Sequence, residues 1–178
     1  MKKFSLRRLY FKVMQQEGTP ESVGRGIAIG LFIGFILPIG TQTFPALFLA
    51  FLFKANKALT WLFTCVSNPA SIFILYPIQC YTGSLLILRP MSFADLNDKF
   101  GAIVQAEGIK EVALAFWNLG SEIMITFFVG GLFYGTILAI SGYWLGSRLV
   151  RLYRARKEKK RQERRLNASG RQGAGPSI

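Results

Sequence analysis

Two uncharged apolar stretches, each interrupted by a short polar break containing proline, constrain this chain more than any other feature. The first runs from Gly26 to Phe53 and the second from Ala58 to Leu88, with only Lys54 and Lys57 placing charge between them. A bilayer's hydrocarbon core asks for about 20 apolar residues per crossing helix, so both stretches are long enough to enter a membrane. Neither reads as one regular helix. Pro38 and Pro45 bracket Ile39-Gly40-Thr41-Gln42-Thr43-Phe44, and Pro69 follows Ser67-Asn68. Each proline removes a backbone donor and crowds the carbonyl four residues back. It also pushes its predecessor toward extended geometry, which makes Leu37, Phe44 and Asn68 poor helical positions. The expected fold is therefore all-α: an integral membrane protein with two broken or re-entrant apolar segments, one further transmembrane helix and amphipathic surface helices.

In hydrocarbon, every backbone group freed by a break needs a protein or water partner, so broken backbone is tolerated only where protein buries it or a watery cavity receives it. Thr41, Gln42, Thr43, Ser67 and Asn68 are the side chains placed to serve either purpose. Pro38, Gly40, Pro45 and Pro69 are read as the structural breaks. A helix starting at Pro45 and another at Pro69 would aim free N–H groups at this polar set, an arrangement suited to an anionic headgroup. Arg25, Lys54 and Lys57 would then guide such a ligand electrostatically at the cytoplasmic mouth.

Composition excludes several chemistries. Of the 178 residues, 51% are apolar and 17% charged, and there is no histidine. The usual general base and commonest transition-metal ligand are thus missing, and no cofactor or metal site is expected. Cys65 and Cys80 stand apart without a paired motif and read as free thiols in apolar surroundings. The net charge of +13 is uneven: residues 148–165 carry ten basic against two acidic side chains, and residues 1–25 six against two. Positive charge beside membrane segments marks the cytoplasmic face. Both termini are accordingly expected inside, with an even number of crossings.

Residues 1–17 read as an amphipathic helix on the cytoplasmic face, with Leu6, Leu9, Tyr10 and Val13 at helical spacing. The membrane domain spans 18–147. Thr19, Pro20 and Glu21 form a helix start, and Gly26, Gly30 and Gly34 then present a ridge that lets a second helix approach closely. If the segment 18–53 returns to the side it came from, Lys54 and Lys57 stay cytoplasmic and 58–88 crosses. The opposite assignment, with the first segment crossing and the second re-entrant, keeps the same parity. Residues 89–117 read as an extracytoplasmic amphipathic region. Residues 119–147 form the last transmembrane helix, with Gly131 and Gly135 at packing distance and Trp117, Tyr143 and Trp144 near its ends. The basic tail 148–178 is expected to meet the anionic inner leaflet, and 167–178 to be disordered. No base-stacking platform accompanies its charge, so no specific nucleic-acid partner is expected.

In order, Gly18-Thr19-Pro20, Gly26-Ile27-Ala28-Ile29-Gly30 with Gly34, Pro38-Ile39-Gly40-Thr41-Gln42-Thr43, Ala55-Asn56 and Ser67-Asn68-Pro69, followed by Tyr76 and Gly83, resemble the bacterial membrane family known as domain of unknown function 2062. The resemblance covers residues 15–147. It implies an inner-membrane protein of few crossings, sometimes joined to enzymes of envelope or glycan assembly, and carries no biochemical activity with it. Two readings follow. In one, the breaks form a midplane site that binds or moves an anionic lipid or small solute. A chain this short must then form a homo-oligomer to enclose a pathway. In the other, the polar residues satisfy broken backbone, and the chain is a non-transporting scaffold or accessory subunit for an envelope-assembly enzyme. Without histidine, a midplane carboxylate pair or a metal-ligand cluster, an enzyme lacks its parts.

Overall fold

The computed structural model describes Val13, residues 18–67, 69–94 and 120–173, and Leu96, Glu111, Leu114 and Trp117. The described residues form five helices and no strand. The amphipathic helix expected over 1–17 and most of the region 89–117 lie outside the described residues, apart from Val13, which is helical, and short pieces around Phe93.

Helix α1 (Pro20–Ile36) begins where its cap chemistry dictates. Thr19 Oγ1 accepts from the Ser22 N–H at 3.1 Å, Pro20 occupies the first helical position and Glu21 lies in the positive first turn. It ends because Pro38 follows: Leu37 is extended, with φ −103° and ψ 141°. A tight turn through Gly40, at φ +92°, with Thr41 N–H donating to Pro38 O at 3.2 Å, reverses the chain into α2 (Thr43–Leu52).

Here the structure corrects two expectations. Helix α2 starts at Thr43 rather than Pro45, and Phe44 is helical. Pro45 falls in the first turn, where N–H groups have no intrahelical acceptor and the position four residues back lies outside the helix. It therefore initiates helix instead of breaking it.

Helix α2 brings the chain back to the start of α1. Asn56 N–H donates to Ser22 O at 3.0 Å, and Arg25 Nη2 donates to Lys54 O at 3.3 Å. Helix α3 (Lys57–Thr64) is capped by the Asn56 side chain, which accepts from Leu59 N–H at 3.0 Å. It climbs alongside α1 in the same direction: Gly26 faces Asn56, Gly30 faces Thr60 and Gly34 faces Thr64. After the second break, α4 (Pro69–Leu86) continues the climb, carrying Pro77 in its interior.

Helix α5 (Ser121–Gly173) runs 53 residues without interruption, about 80 Å at 1.5 Å per residue. It descends antiparallel to its neighbours and serves as a ruler for both. At its upper end Thr126 and Gly130 meet Gly83 and Gln79 of α4, with Arg89 3.9 Å from Glu122. Lower down, Gly131 and Gly135 meet Phe35 and Phe32 of α1, and Gly146 meets Ile27. At the bottom, Arg151 pairs with Glu21 at 3.2 Å. Helix persists past Asn167, into a stretch whose composition reads as disordered. Arg, Gln and Ala there are helix formers, and a preformed helix propagates at low cost.

Two apolar cores hold the bundle. One joins Tyr76 and Cys80 to Leu96, Ile123 and Phe127, and the other joins Val13, Val23, Ile27, Leu59 and Val150. Close packing of small residues does the rest: a Cβ on Gly30 would stand 2.5 Å from Thr60 O, so only glycine permits that approach.

Candidate functional site

The polar residues of the two breaks were singled out as one set, and the structure divides them. Gln42 and Ser67 are buried, at 4% and 3% exposure, whereas Thr41 and Thr43 are exposed. Asn68 lies outside the described residues. Thr41 Oγ1 bonds locally, donating to Pro38 O at 2.9 Å. Gln42 and Ser67 converge where α1 and α3 both end.

What they do there follows from helix chemistry. A helix leaves its last four carbonyls without an intrahelical donor, and buried carbonyls left alone cost about 1–3 kcal/mol each. In α1, Ile33 O accepts from the Leu37 N–H at 3.0 Å. Gly34 O accepts from Ser67 Oγ, and Phe35 O accepts from Gln79 Nε2 at 2.9 Å. In α3, Thr64 O accepts from Gln42 Nε2 at 2.9 Å. Side chains from elsewhere in the fold thus cap the C-terminal ends of α1 and α3. The second break closes the end of α1, and the first break closes the end of α3.

Two further residues complete this arrangement: Gln79, which the sequence reading does not single out, and Tyr76, which enters it only as part of the family motif. Gln79, 1% exposed, spans three helices, since its Nε2 also lies 2.8 Å from Phe127 O on α5. Tyr76 accepts from the Ile39 N–H at 2.8 Å, fixing the turn after α1. The available signal for Gln79 was its type: an amide inside an apolar helix faces the bundle interior and bonds across it.

Electrostatically the site is acceptor-rich. Because Gln42 Nε2 is committed to Thr64 O, its amide orientation is set, and the buried atom left without a partner is the carbonyl oxygen Oε1. Thr60 and Thr64 add no outward donors, since their hydroxyls bond back to Asn56 O at 3.0 Å and Thr60 O at 2.6 Å. The basic residues sit at the other end of α3. Arg25 is bound to Lys54 O, Lys54 is held at φ +50°, and Lys57 Nζ stands 5.1 Å from the centroid of the Phe51 ring. Gly26, Gly30 and Gly34 line the α1–α3 seam, and Gly131 and Gly135 the α1–α5 seam.

Among the described residues, no group of three or more Cys, Asp or Glu is placed to hold a metal ion. Fold and site together define a small helical bundle whose broken helices are capped by one another's side chains. One helix, covering Ser121–Arg164, is long and apolar enough to cross a membrane, and only 33% of its most apolar window is buried in the bundle. The chain belongs to the family described as an uncharacterized protein conserved in bacteria, domain of unknown function 2062, whose model matches residues 3–159. No curated protein and no solved structure matches the chain.

Proposed function

We propose that this is a multi-pass bacterial inner-membrane protein that works as a non-transporting scaffold or accessory subunit. The observation that carries the reading is the mutual capping of α1 and α3. Gln42 and Ser67, the two buried side chains of the set expected to bind a translocated anion, already hold backbone carbonyls inside the bundle. The buried atom Gln42 leaves unpartnered is an acceptor, which repels a phosphate or carboxylate.

Several features support membrane insertion. Ile123 to Leu145 on α5 spans about 33 Å, close to the hydrocarbon thickness of about 30 Å. The outward surfaces of four of the five helices are apolar: Phe48 and Phe51 on α2, Trp61 on α3, Ile78 and Leu85 on α4, Ile137 and Ile140 on α5 are all exposed. Large exposed apolar side chains on this many helices mark a lipid or protein contact. The Arg148 guanidinium stands 4.8 Å from the Trp144 ring centroid, an interfacial pairing. Lys54, Lys57 and the Glu21–Arg151 pair share one end of the bundle, so α1 and α2 form a hairpin that returns to the basic, cytoplasmic side. The α3–α4 segment then crosses, and α5 crosses back.

The test is the wetness of the breaks. In a Cys65→Ser, Cys80→Ser background, Ser67→Cys in native membranes is expected to resist a membrane-impermeant thiol reagent, while a control Arg161→Cys reacts from the cytoplasmic side. Rapid labelling of Ser67→Cys in folded protein would replace the scaffold reading with a hydrated pathway.

A further inference from the structure

The largest charged feature outside the breaks is the basic half of α5. We propose that its residues 156–164 dock an acidic helical segment of a partner protein in the cytoplasm, with Lys160, Arg161 and Arg164 standing clear of the lipid surface. This inference rests on the membrane reading above.

The argument is one of height against screening. Trp144 and Arg148 lie where the apolar stretch of α5 ends, and the helix continues unbroken beyond them. The headgroup layer adds about 5–8 Å to each side of the hydrocarbon core. At 1.5 Å per residue, Lys160 lies about 18 Å beyond Arg148 along the axis and Arg164 about 24 Å. A tilt of about 20° shortens these heights by less than a tenth. Both residues therefore stand well outside the headgroups, whereas attraction to an anionic leaflet decays over about 8 Å at physiological salt. Arg148 and Arg151 are near enough to feel the leaflet; Lys160, Arg161 and Arg164 are not.

The charge pattern selects the partner. At about 100° per residue, Arg156, Lys157, Lys160, Arg161 and Arg164 fall within one half of the helix circumference; Glu158 falls in the other half, and Glu163 borders the basic arc about 20° from Arg156. All five basic side chains are exposed. An open cleft of about 480 Å³ lies on this part of the helix, lined by Tyr153, Arg156, Lys157, Lys159, Lys160 and Glu163. Cations spaced three and four residues apart match carboxylates spaced likewise on a second helix. Tyr153, which lines this cleft, is the last aromatic residue in the chain, so the positive face offers one ring where single-stranded nucleic acid stacks on a series of them.

The experiment uses the full chain in nanodiscs of phosphatidylcholine, with and without phosphatidylglycerol. The probe is a fluorescent glutamate-rich helical peptide, followed by anisotropy. Binding is expected to fall with salt and to be indifferent to lipid composition. Exchanging Arg156, Lys157, Lys160, Arg161 and Arg164 together for Gln should weaken it by about tenfold or more. Arg148→Gln with Arg151→Gln should leave it within about twofold, since those charges face the headgroups. Equal binding by all three proteins overturns the proposal, as does tighter binding of a single-stranded oligonucleotide of matched charge.

Spin labels on Lys160→Cys and Ile140→Cys, in the background lacking the native cysteines, separate this proposal from the reading beneath it. Both stand if the Ile140→Cys label is in lipid and the Lys160→Cys label is in water. A Lys160→Cys label at headgroup depth overturns docking alone. An Ile140→Cys label in water overturns the membrane reading and docking with it.

Discussion

The upper and lower halves of α5 both pack on glycine, but they use it differently. In the upper seam with α4 the contact is reciprocal: a Cβ on Gly83 would land on the Thr126 carbonyl of α5, and a Cβ on Gly130 would land on the Gln79 carbonyl of α4. In the lower seam with α1 the contacts are mixed: a Cβ on Gly131 would stand 2.5 Å from Phe35 O and one on Gly24 2.8 Å from Tyr143 O, whereas Gly142 and Gly146 face the side-chain ends of Leu31 and Ile27, and Gly135 has nothing nearer than Phe32 O at 3.3 Å. Backbone cannot yield without moving a helix, whereas a side-chain tip yields by a rotamer shift. Glycine spacing alone treats Gly131–Gly135 and Gly142–Gly146 as equivalent packing pairs. The structure shows that what a glycine faces, and not its spacing, decides whether it is required.

The largest effect follows at the reciprocal contact. Gly130→Ala must push α4 off α5 or distort one of them, at a cost of about 3 kcal/mol or more. The expected outcome is loss of monodisperse protein on size-exclusion in mild detergent, or a steep drop in thermal midpoint. A Gly130→Ala protein as stable as the parent would show that the two helices are further apart than their glycines imply.

Next in size is Gln79→Leu, which keeps the volume close and removes the donor shared by Phe35 O and Phe127 O. Phe127 O lies in mid-helix, so the carbonyl that loses its donor is the one at the end of α1. The expected cost is about 2 kcal/mol, read from the unfolding midpoint. A neutral result would mean that water or a rearranged turn caps α1 equally well, and the upper seam would then owe its order to glycine alone.

Much of this was readable from local chemistry. Thr19, Pro20 and Glu21 placed the start of α1, Pro38 placed its end at an extended Leu37, and Ser67-Asn68-Pro69 separated α3 from α4. Each of those rules acts within a few residues. Pro45 misled because proline's meaning depends on where the helix starts, and that is set by the turn through Gly40. Gln79 escaped because its partners lie 44 and 48 residues away, and no local rule links an amide to a helix end that far off. The pairing of Gln42 with α3 and Ser67 with α1 was hidden for the same reason. The polar residues of the breaks were identifiable as a set, but which helix end each one closes depends on α3 lying parallel to α1.

The smallest expected effect sharpens the comparison most. Gly135→Ala adds a methyl group beside Phe32 O at 3.3 Å and Phe35 Cβ at 3.4 Å, contacts that a shift of a few tenths of an ångström relieves. Against that small strain stands the helix propensity of alanine over glycine, about 1 kcal/mol in a helix interior. The two terms nearly cancel, so the unfolding midpoint should stay within about 0.5 kcal/mol of the parent or rise slightly. Measured beside Gly130→Ala in the same detergent, it isolates the backbone contact from the residue type, because both substitutions are identical and lie five positions apart on one helix. A loss at Gly135 matching that at Gly130 would mean that the lower seam is as tightly locked as the upper one.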